Sequence, residues 1–252
     1  MTKHAHSVPL KTIWPSVCAE AQFVKAKEPT LAAFLQNSVL DAENVLSSLG
    51  RILSTKLATA EVPAKSLLGI FMSIYQASPD LEQSAQYDLV SIMQNDPAAH
   101  DFITPFVFFK GYHALQTHRL SNWLWQRGRK HLALHLQNRM SEQLGVDIHP
   151  AATIGHGVML DHATGITIGE TSVIEHDVLI WHGVTLGSKT LTGGDRHPKI
   201  RQGAHLYAGC SVLGPVEVGA GARVAAGSIV MDNIPQGVTV AGIPAKIVGG
   251  EN

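Results

Sequence analysis

Hydrophobic positions along the chain change their period near residue 145. Before that point apolar residues return every three or four positions. "PTLAAFLQNSVLDAENVLSSLGRILSTKLA" (29–58) sets Leu31, Phe34, Leu35, Val39, Leu46, Leu49, Ile52 and Leu53 at threes and fours or their sums, the spacing of one helix face. "AKSLLGIFMSIYQAS" and "LEQSAQYDLVSIMQ" follow, separated by the breaker Ser78-Pro79-Asp80. A last helical stretch is expected from about Gly111 to Leu144. Leu132, Leu136, Met140 and Leu144 form its stripe, and Gly145 is its C-terminal stop.

Beyond Gly145 the period is six. Aliphatic residues fall at Ile148, Ile154, Leu160 and Ile166. After a two-residue phase slip they fall at Ile168, Ile174, Ile180 and Leu186, and after a polar insert at Ile200, Leu206, Val212, Val218, Val224 and Val230. Neither an amphipathic helix nor a single strand has this spacing. It is the hexapeptide repeat, in which three units close one triangular coil of a parallel β-helix and stacked coils share a continuous core. Small residues and glycines recur where corners need them, as at Gly203, Gly209, Gly221 and Gly227. The expected fold is mixed α+β: an N-terminal helical domain (1–145), then a left-handed parallel β-helix (146–252) with an excursion loop at 187–199.

Composition narrows the function classes. At 252 residues with 45 % hydrophobic and 15 % charged side chains, the chain is globular. A formal charge of −1 without a Lys/Arg block gives no footprint for nucleic acid or an anionic membrane. Cys18 and Cys210 are too few and too far apart for a disulfide framework, and the start "MTKHAHSVPLKTIWPS" lacks a signal-peptide core. The longest apolar run, "FVFF" at 106–109, is far too short to span a bilayer. A cytoplasmic protein with reduced thiols is expected.

Two polar constellations interrupt the repeat. In "MLDHATGI" (159–166) a coil carries Asp161 and His162, followed by the small residues Ala163-Thr164-Gly165. Asp147 lies 15 residues earlier, close to one coil, so an acid and an imidazole on adjoining coils can pair. The acid would fix the ring tautomer and make the other nitrogen a better general base. The insert "GSKTLTGGDRHPK" (187–199) ends in Asp195-Arg196-His197-Pro198, where a guanidinium beside an imidazole suits capture of a carboxylate. The plain alternatives are solvated surface histidines and a charged loop tip. His156, His176 and His182 suit solvated turn or face positions, and His4 and His6 lie near the terminus, away from the repeat.

Together "VDIHPAATIGHGVMLDHATGITIGETSVI", "GVTLG", "GGDRHPKI" and "AGIPAKIVG" closely resemble bacterial serine O-acetyltransferase. "NDPAA", "TPFVFFKGYHALQTHRLSNWLW" and "LALHLQNRMS" extend the likeness over roughly residues 20–250. The resemblance implies transfer of acetyl from acetyl-CoA to the hydroxyl of L-serine, for cysteine synthesis, with no metal. It makes His162 the general base and Asp147 the acid that orients it. Asp161 and Asp96 would hold the substrate ammonium, Arg196 and His197 its carboxylate. Asp96 also reads as a helix N-cap with Pro97 at the first helical position. CoA would lie between two β-helices of a trimer or a dimer of trimers, against Gly187, Ala208, Gly209 and Ala226, with Lys246 near its phosphates. L-Cysteine is an expected feedback inhibitor.

The chain departs from that family twice. Where "TLGGTGK" is usual it has Thr185-Leu186-Gly187-Ser188-Lys189-Thr190-Leu191, placing side chains where bare backbone could approach CoA. It closes on Gly249-Gly250-Glu251-Asn252 rather than on an isoleucine-ended tail, so no complex with cysteine synthase is expected. Three rival readings stand beside this one: a hexapeptide acyltransferase for another hydroxyl or acyl-CoA, a histidine-zinc hydratase, and a non-catalytic scaffold.

Overall fold

The computed structural model describes residues 9–250, so His4, His6 and the closing Glu251-Asn252 lie outside the described residues. Within them eight α-helices precede the strands: α1 (Ile13–Lys27), α2 (Ala32–Leu35), α3 (Val45–Leu57), α4 (Ala64–Ala77), α5 (Asp80–Asn95), α6 (Ile103–Phe108), α7 (Lys110–Gln126) and α8 (Lys130–Leu144). None is long and apolar enough to cross a membrane.

Two stretches with continuous helical spacing are broken. In 29–58, α2 runs into a π-turn over 36–40 and α3 starts afresh behind Asn44. The Asn44 side chain accepts the Ser47 N–H at 2.9 Å, and the Ser47 hydroxyl accepts the Asn44 N–H at 3.1 Å. This capping box satisfies two helix-end donors locally. Leu35, Val39, Leu49 and Ile52 share one core across the break, so the spacing survives it. In 111–144 the chain turns between α7 and α8 at Gly128, whose φ of +77° suits glycine. Gly145 ends α8 at φ +68°, as its place in the sequence suggests.

From Val146 the chain winds through three parallel sheets. The first stacks β1 (Val146–Ile148), β4 (Ile166–Ile168), β7 (Thr185–Gly187), β10 (Ser211–Leu213) and β13 (Ile229–Val230). The second stacks β2 (Thr153–Ile154), β5 (Val173–Ile174), β8 (Lys199–Ile200) and β11 (Glu217–Val218). The third stacks β3 (Met159–Asp161), β6 (Leu179–Trp181), β9 (His205–Leu206), β12 (Arg223–Val224) and β14 (Thr239–Gly242), closed by the antiparallel β15 (Ala245–Gly249). The six-residue columns point inward: Ile168, Leu186 and Val212 of the first sheet and Ile180, Leu206 and Val224 of the third are all buried.

The register relocates the phase slip. Asp161 pairs with Trp181, and the Gly183 N–H donates to the Thr164 carbonyl at 2.8 Å. Thr164 therefore stacks on His182, and the two additional residues of this coil are His162 and Ala163. The slip is not at Ile166–Ile168, both of which are buried strand residues of β4. It is a two-residue enlargement of the turn between the third sheet and the first.

The helices and the β-helix share their cores. Met159 and Leu179, on the outer face of the third sheet, belong to the cluster formed by α1, α3, α5 and α6. Ala114 and Leu115 of α7 and Met140 and Leu144 of α8 belong to the cluster that fills the prism. Burying each such aliphatic side chain contributes about 1.5–3 kcal/mol.

Helix α7 also carries two histidines shut off from water, His113 and His118. Burial pulls the first down to about 4 and the second to about 3. Both are neutral in the fold, whereas unfolded they protonate near 6.5. Stability is thus unaffected by them above about pH 6.5 and is lost as pH falls toward 4, by about 1.4 kcal/mol per pH unit for each ring. Urea midpoints at pH 7 and pH 5 check this; equal midpoints would refute the buried, neutral assignment.

Candidate active site

Helix α5 ends at Asn95, and Asp96 follows it in extended conformation. Its Oδ1 accepts the Ala98 N–H at 2.8 Å. This is a turn held by its own aspartate, not the helix N-cap expected from "DPAA": the next helix, α6, begins only at Ile103. Across from it β3 delivers Asp161 and then His162. Asp96, Asp161 and His162 line one cleft of about 440 Å³, floored by Met159 and Leu160 and closed by the start of α7. Three of the expected site residues are brought together there, Asp96 from the helical half with the adjacent Asp161 and His162 from the β-helix.

The enlarged turn explains how His162 reaches that cleft. His162 and Ala163 both adopt left-handed backbone, at φ +52° and +57°, which costs roughly 1–2 kcal/mol per non-glycine residue. Neighbours hold the turn in place. Ala163 is wholly buried in the prism, so the ring of His162 is left on the outside, exposed. Gly111, second residue of α7, lies so close to Leu160 that a Cβ would collide with its carbonyl. The preceding residue, Lys110, donates from Nζ to Thr164 Oγ1. Lys110 lines the cleft and was not singled out from sequence. Its signal was a lysine-glycine pair opening a helix directly after an apolar run.

Arg196 and His197 lie elsewhere. They close the long loop between β7 and β8, at the turn joining the first sheet to the second, whereas His162 sits at the turn joining the third to the first. Arg196 Nη2 donates to Glu170 Oε2 at 2.7 Å, which holds the Glu170 carboxyl below its usual range. Thr171 organises the pair. Its Oγ1 accepts the backbone N–H groups of Arg196 and His197, each at 3.1 Å. Its own backbone N–H donates to His197 Nδ1 at 3.2 Å, and its Oγ1 lies 2.9 Å from the same nitrogen. A nitrogen that accepts an N–H carries no proton, so the ring hydrogen of neutral His197 sits on Nε2. Burial, then the Arg196 charge, lowers the His197 pKa.

Asp147 does not join His162 within the chain. It lies on the outer side of β1, where Oδ1 accepts from Gln137 Nε2 at 2.6 Å, beside Ser141 and Asn138. Of the residues expected along CoA, Ala208 and Ala226 fall on the same edge of the prism as His162. Gly209 donates to the His182 carbonyl and Gly227 to the Ala208 carbonyl, each at 2.9 Å, so His182, Ala208 and Ala226 stack below the enlarged turn. Gly187 lies instead at the root of the long loop, beside the Leu213 side chain, and Lys246 is exposed on β15. Among the described residues no group of three or more His, Cys, Asp or Glu side chains can hold a metal ion.

Comparison with known proteins covers nearly the whole chain. A family model described as "Serine acetyltransferase, N-terminal" matches residues 13–117. The serine acetyltransferase of Salmonella typhimurium LT2 is 47 % identical over 240 residues, 95 % of this chain and 88 % of that protein. The fold superposes on serine acetyltransferase from Neisseria gonorrhoeae in complex with serine (TM-score 0.92, 42 % identity, 96 % of this chain and 99 % of that one). It matches equally the Brucella abortus S19 enzyme in complex with coenzyme A (TM-score 0.93, 42 % identity, 95 % and 96 %). A serine acetyltransferase in complex with cysteine gives TM-score 0.93 at 45 % identity, over 94 % of this chain and 98 % of that one.

The Thr171 contacts yield a check independent of activity. In ¹⁵N spectra at neutral pH, His197 is expected as the Nε2–H tautomer, and Thr171→Val, which keeps the backbone N–H that donates to Nδ1, is expected to leave that tautomer in place. A wild-type Nδ1–H form would contradict the assigned hydrogen bonds.

Proposed function

The chain belongs to the serine acetyltransferase family, and from that premise we propose that it transfers acetyl from acetyl-CoA to the L-serine hydroxyl, giving O-acetyl-L-serine and CoA. The observation that carries this reading is the convergence of Asp96, Asp161 and His162 in one cleft. Two carboxylates fit an ammonium group, and an imidazole beside them fits the hydroxyl on the neighbouring carbon. His162 takes the hydroxyl proton while the serine oxygen attacks the thioester carbonyl. The carbon–sulfur bond then breaks, and the imidazolium returns the proton to the CoA sulfur. Both substrates are bound together, since no side chain is needed as nucleophile. Cys210 is buried, with its thiol pushed up to about 12. Asp147 is assigned the orienting role on resemblance alone; in the single chain its carboxylate is engaged by Gln137.

The substrate carboxylate calls for Arg196 and His197, whose Nε2–H is a ready donor. Because they occupy a different edge of the prism, we assign each complete site to two chains. One gives His162 and the two aspartates, with His182, Ala208 and Ala226 below as the groove for CoA. Its neighbour gives Arg196, His197 and Gly187. A closed three-fold ring meets this requirement, each interface being of the same head-to-tail kind. L-Cysteine carries the same ammonium and carboxylate as L-serine and is assigned to the same site.

The first test is release of CoA thiol from acetyl-CoA with L-serine, L-homoserine or L-threonine. Serine-dependent release is expected, with a loss of about 10²–10⁴-fold in His162→Ala, and added L-cysteine is expected to raise the KM for serine. Turnover with another acceptor only would reassign the substrate. The two-chain site has its own test: His162→Ala and Arg196→Ala are each nearly inactive, and after subunit exchange an equal mixture regains about a quarter of the wild-type rate, the random frequency of interfaces with both halves intact. No recovery would place both halves in one chain.

A further inference from the structure

Between α5 and α7 on one side and the β-helix on the other lies a polar cluster that the proposed chemistry does not use. Asp88, on α5, is completely buried. Its Oδ2 accepts from Arg119 Nη2 at 2.6 Å, Arg119 Nε at 3.2 Å and Gln116 Nε2 at 2.9 Å, both partners lying on α7. Its Oδ1 accepts the Val158 N–H at 3.1 Å, across the domain boundary. Arg119 also crosses that boundary, donating to the Gly155 carbonyl at 2.8 Å. One residue before Asp88, Tyr87 stacks on His156 with ring centroids 4.6 Å apart, and His156 packs against His176 at 3.9 Å with the rings tilted by 35°.

The chain positions of these contacts give them a consequence. Val158 immediately precedes β3, which leads into Asp161 and His162. Asp88 lies on α5 about two turns before its end, and Asp96 directly follows that end. Both arms of the cleft are therefore referred to one carboxylate: α5 leads from Asp88 to Asp96 just beyond its end, and β3 leads from Val158, just before it, to His162, just after it. A buried carboxylate with four donors is a rigid reference point, and the fixed fork of the guanidinium suits its double task. A hydrophobic pair would hold the domains together equally well without fixing their relative position to a fraction of an ångström.

We propose that Asp88 and Arg119 are positioning residues for the reaction: they set the separation between Asp96 on the helical side and Asp161–His162 on the β-helix side, and so the placement of the substrate ammonium and hydroxyl. This rests on the function proposed above. The groove below the enlarged turn, with Ala208 and Ala226, is built from β-helix contacts only and does not depend on the cluster.

The test is the double variant Asp88→Leu/Arg119→Met, which removes both charges and the bonds these two side chains make across the boundary while leaving apolar volume to pack. Misplacement on the ångström scale costs on the order of 10²-fold, so kcat/KM for serine is expected to fall by that order, with KM for acetyl-CoA unchanged. Asp88→Asn/Arg119→Gln, whose amides restore partners for Val158 and Gly155, is expected to recover much of the serine kcat/KM. Should the apolar pair fail to fold, Arg119→Lys carries the test alone: it keeps the charge and loses the fork, and a several-fold rise in serine KM is expected. Unchanged serine kinetics in a folded double variant, or equal rises in KM for both substrates, would overturn the positioning role while leaving the activity in place. A wild-type protein inactive with serine would instead overturn the function reading, and this inference with it.

Discussion

Vertical pairing between coils governs what this chain can do with its side chains. Each strand gives its N–H and C=O groups to the coils above and below, and even the turns are tied, Gly165 to Gly145 and Gly183 to Thr164, each at 2.8 Å. A residue added to a coil cannot enter a strand without leaving buried backbone groups unpaired. It must bulge at a turn. His162 and Ala163 are such residues, in the first coil, and the regular coil stacked on them confines the bulge to the turn. The long loop after β7 obeys the same rule at another turn. Both polar constellations are therefore products of one constraint, and both lie on edges of the prism, not on its faces.

The electrostatic arrangement follows from that geometry. Carboxylates gather where α5 meets the enlarged turn, and cationic donors gather at the root of the loop. Arg196 is steadied by Glu170 in the meantime, and Thr171 fixes which nitrogen of His197 bears hydrogen. In the two-chain site proposed above, a zwitterionic ligand would have each end met by the opposite charge. Keeping the two clusters on separate edges also prevents them from neutralising each other within one chain.

Much of this was legible in the chain itself, because the six-residue period has one structural meaning and because "LDHATG" and "DRH" stand out against it. What escaped has physical reasons. The phase slip was visible, but only hydrogen-bond register shows which residues are extra, since Ile166 and Ile168 are both apolar and both buried. The breaks at Asn44 and Gly128 were hidden because apolar spacing serves a shared core on both sides of each break. Asp96 kept its carboxylate at the expected place, yet caps a turn in place of a helix. Asp88 and Lys110 passed unnoticed for opposite reasons. The first lies among the apolar residues Ala85, Leu89 and Ile92, and the second resembles any surface lysine at a helix start.

The interleaving of the two hydrophobic clusters has a consequence for the chain as an evolutionary object. Residue 145 divides helix from strand, but no such line divides core from core: Met159 and Leu179 complete the helical side, and Leu115 and Met140 complete the prism. Either half alone would present a wet, unfinished interior. The helical region is thus not a detachable accessory that other hexapeptide proteins could acquire by simple fusion. A transplant would have to bring a matching third sheet with it, because the two halves complete each other's packing.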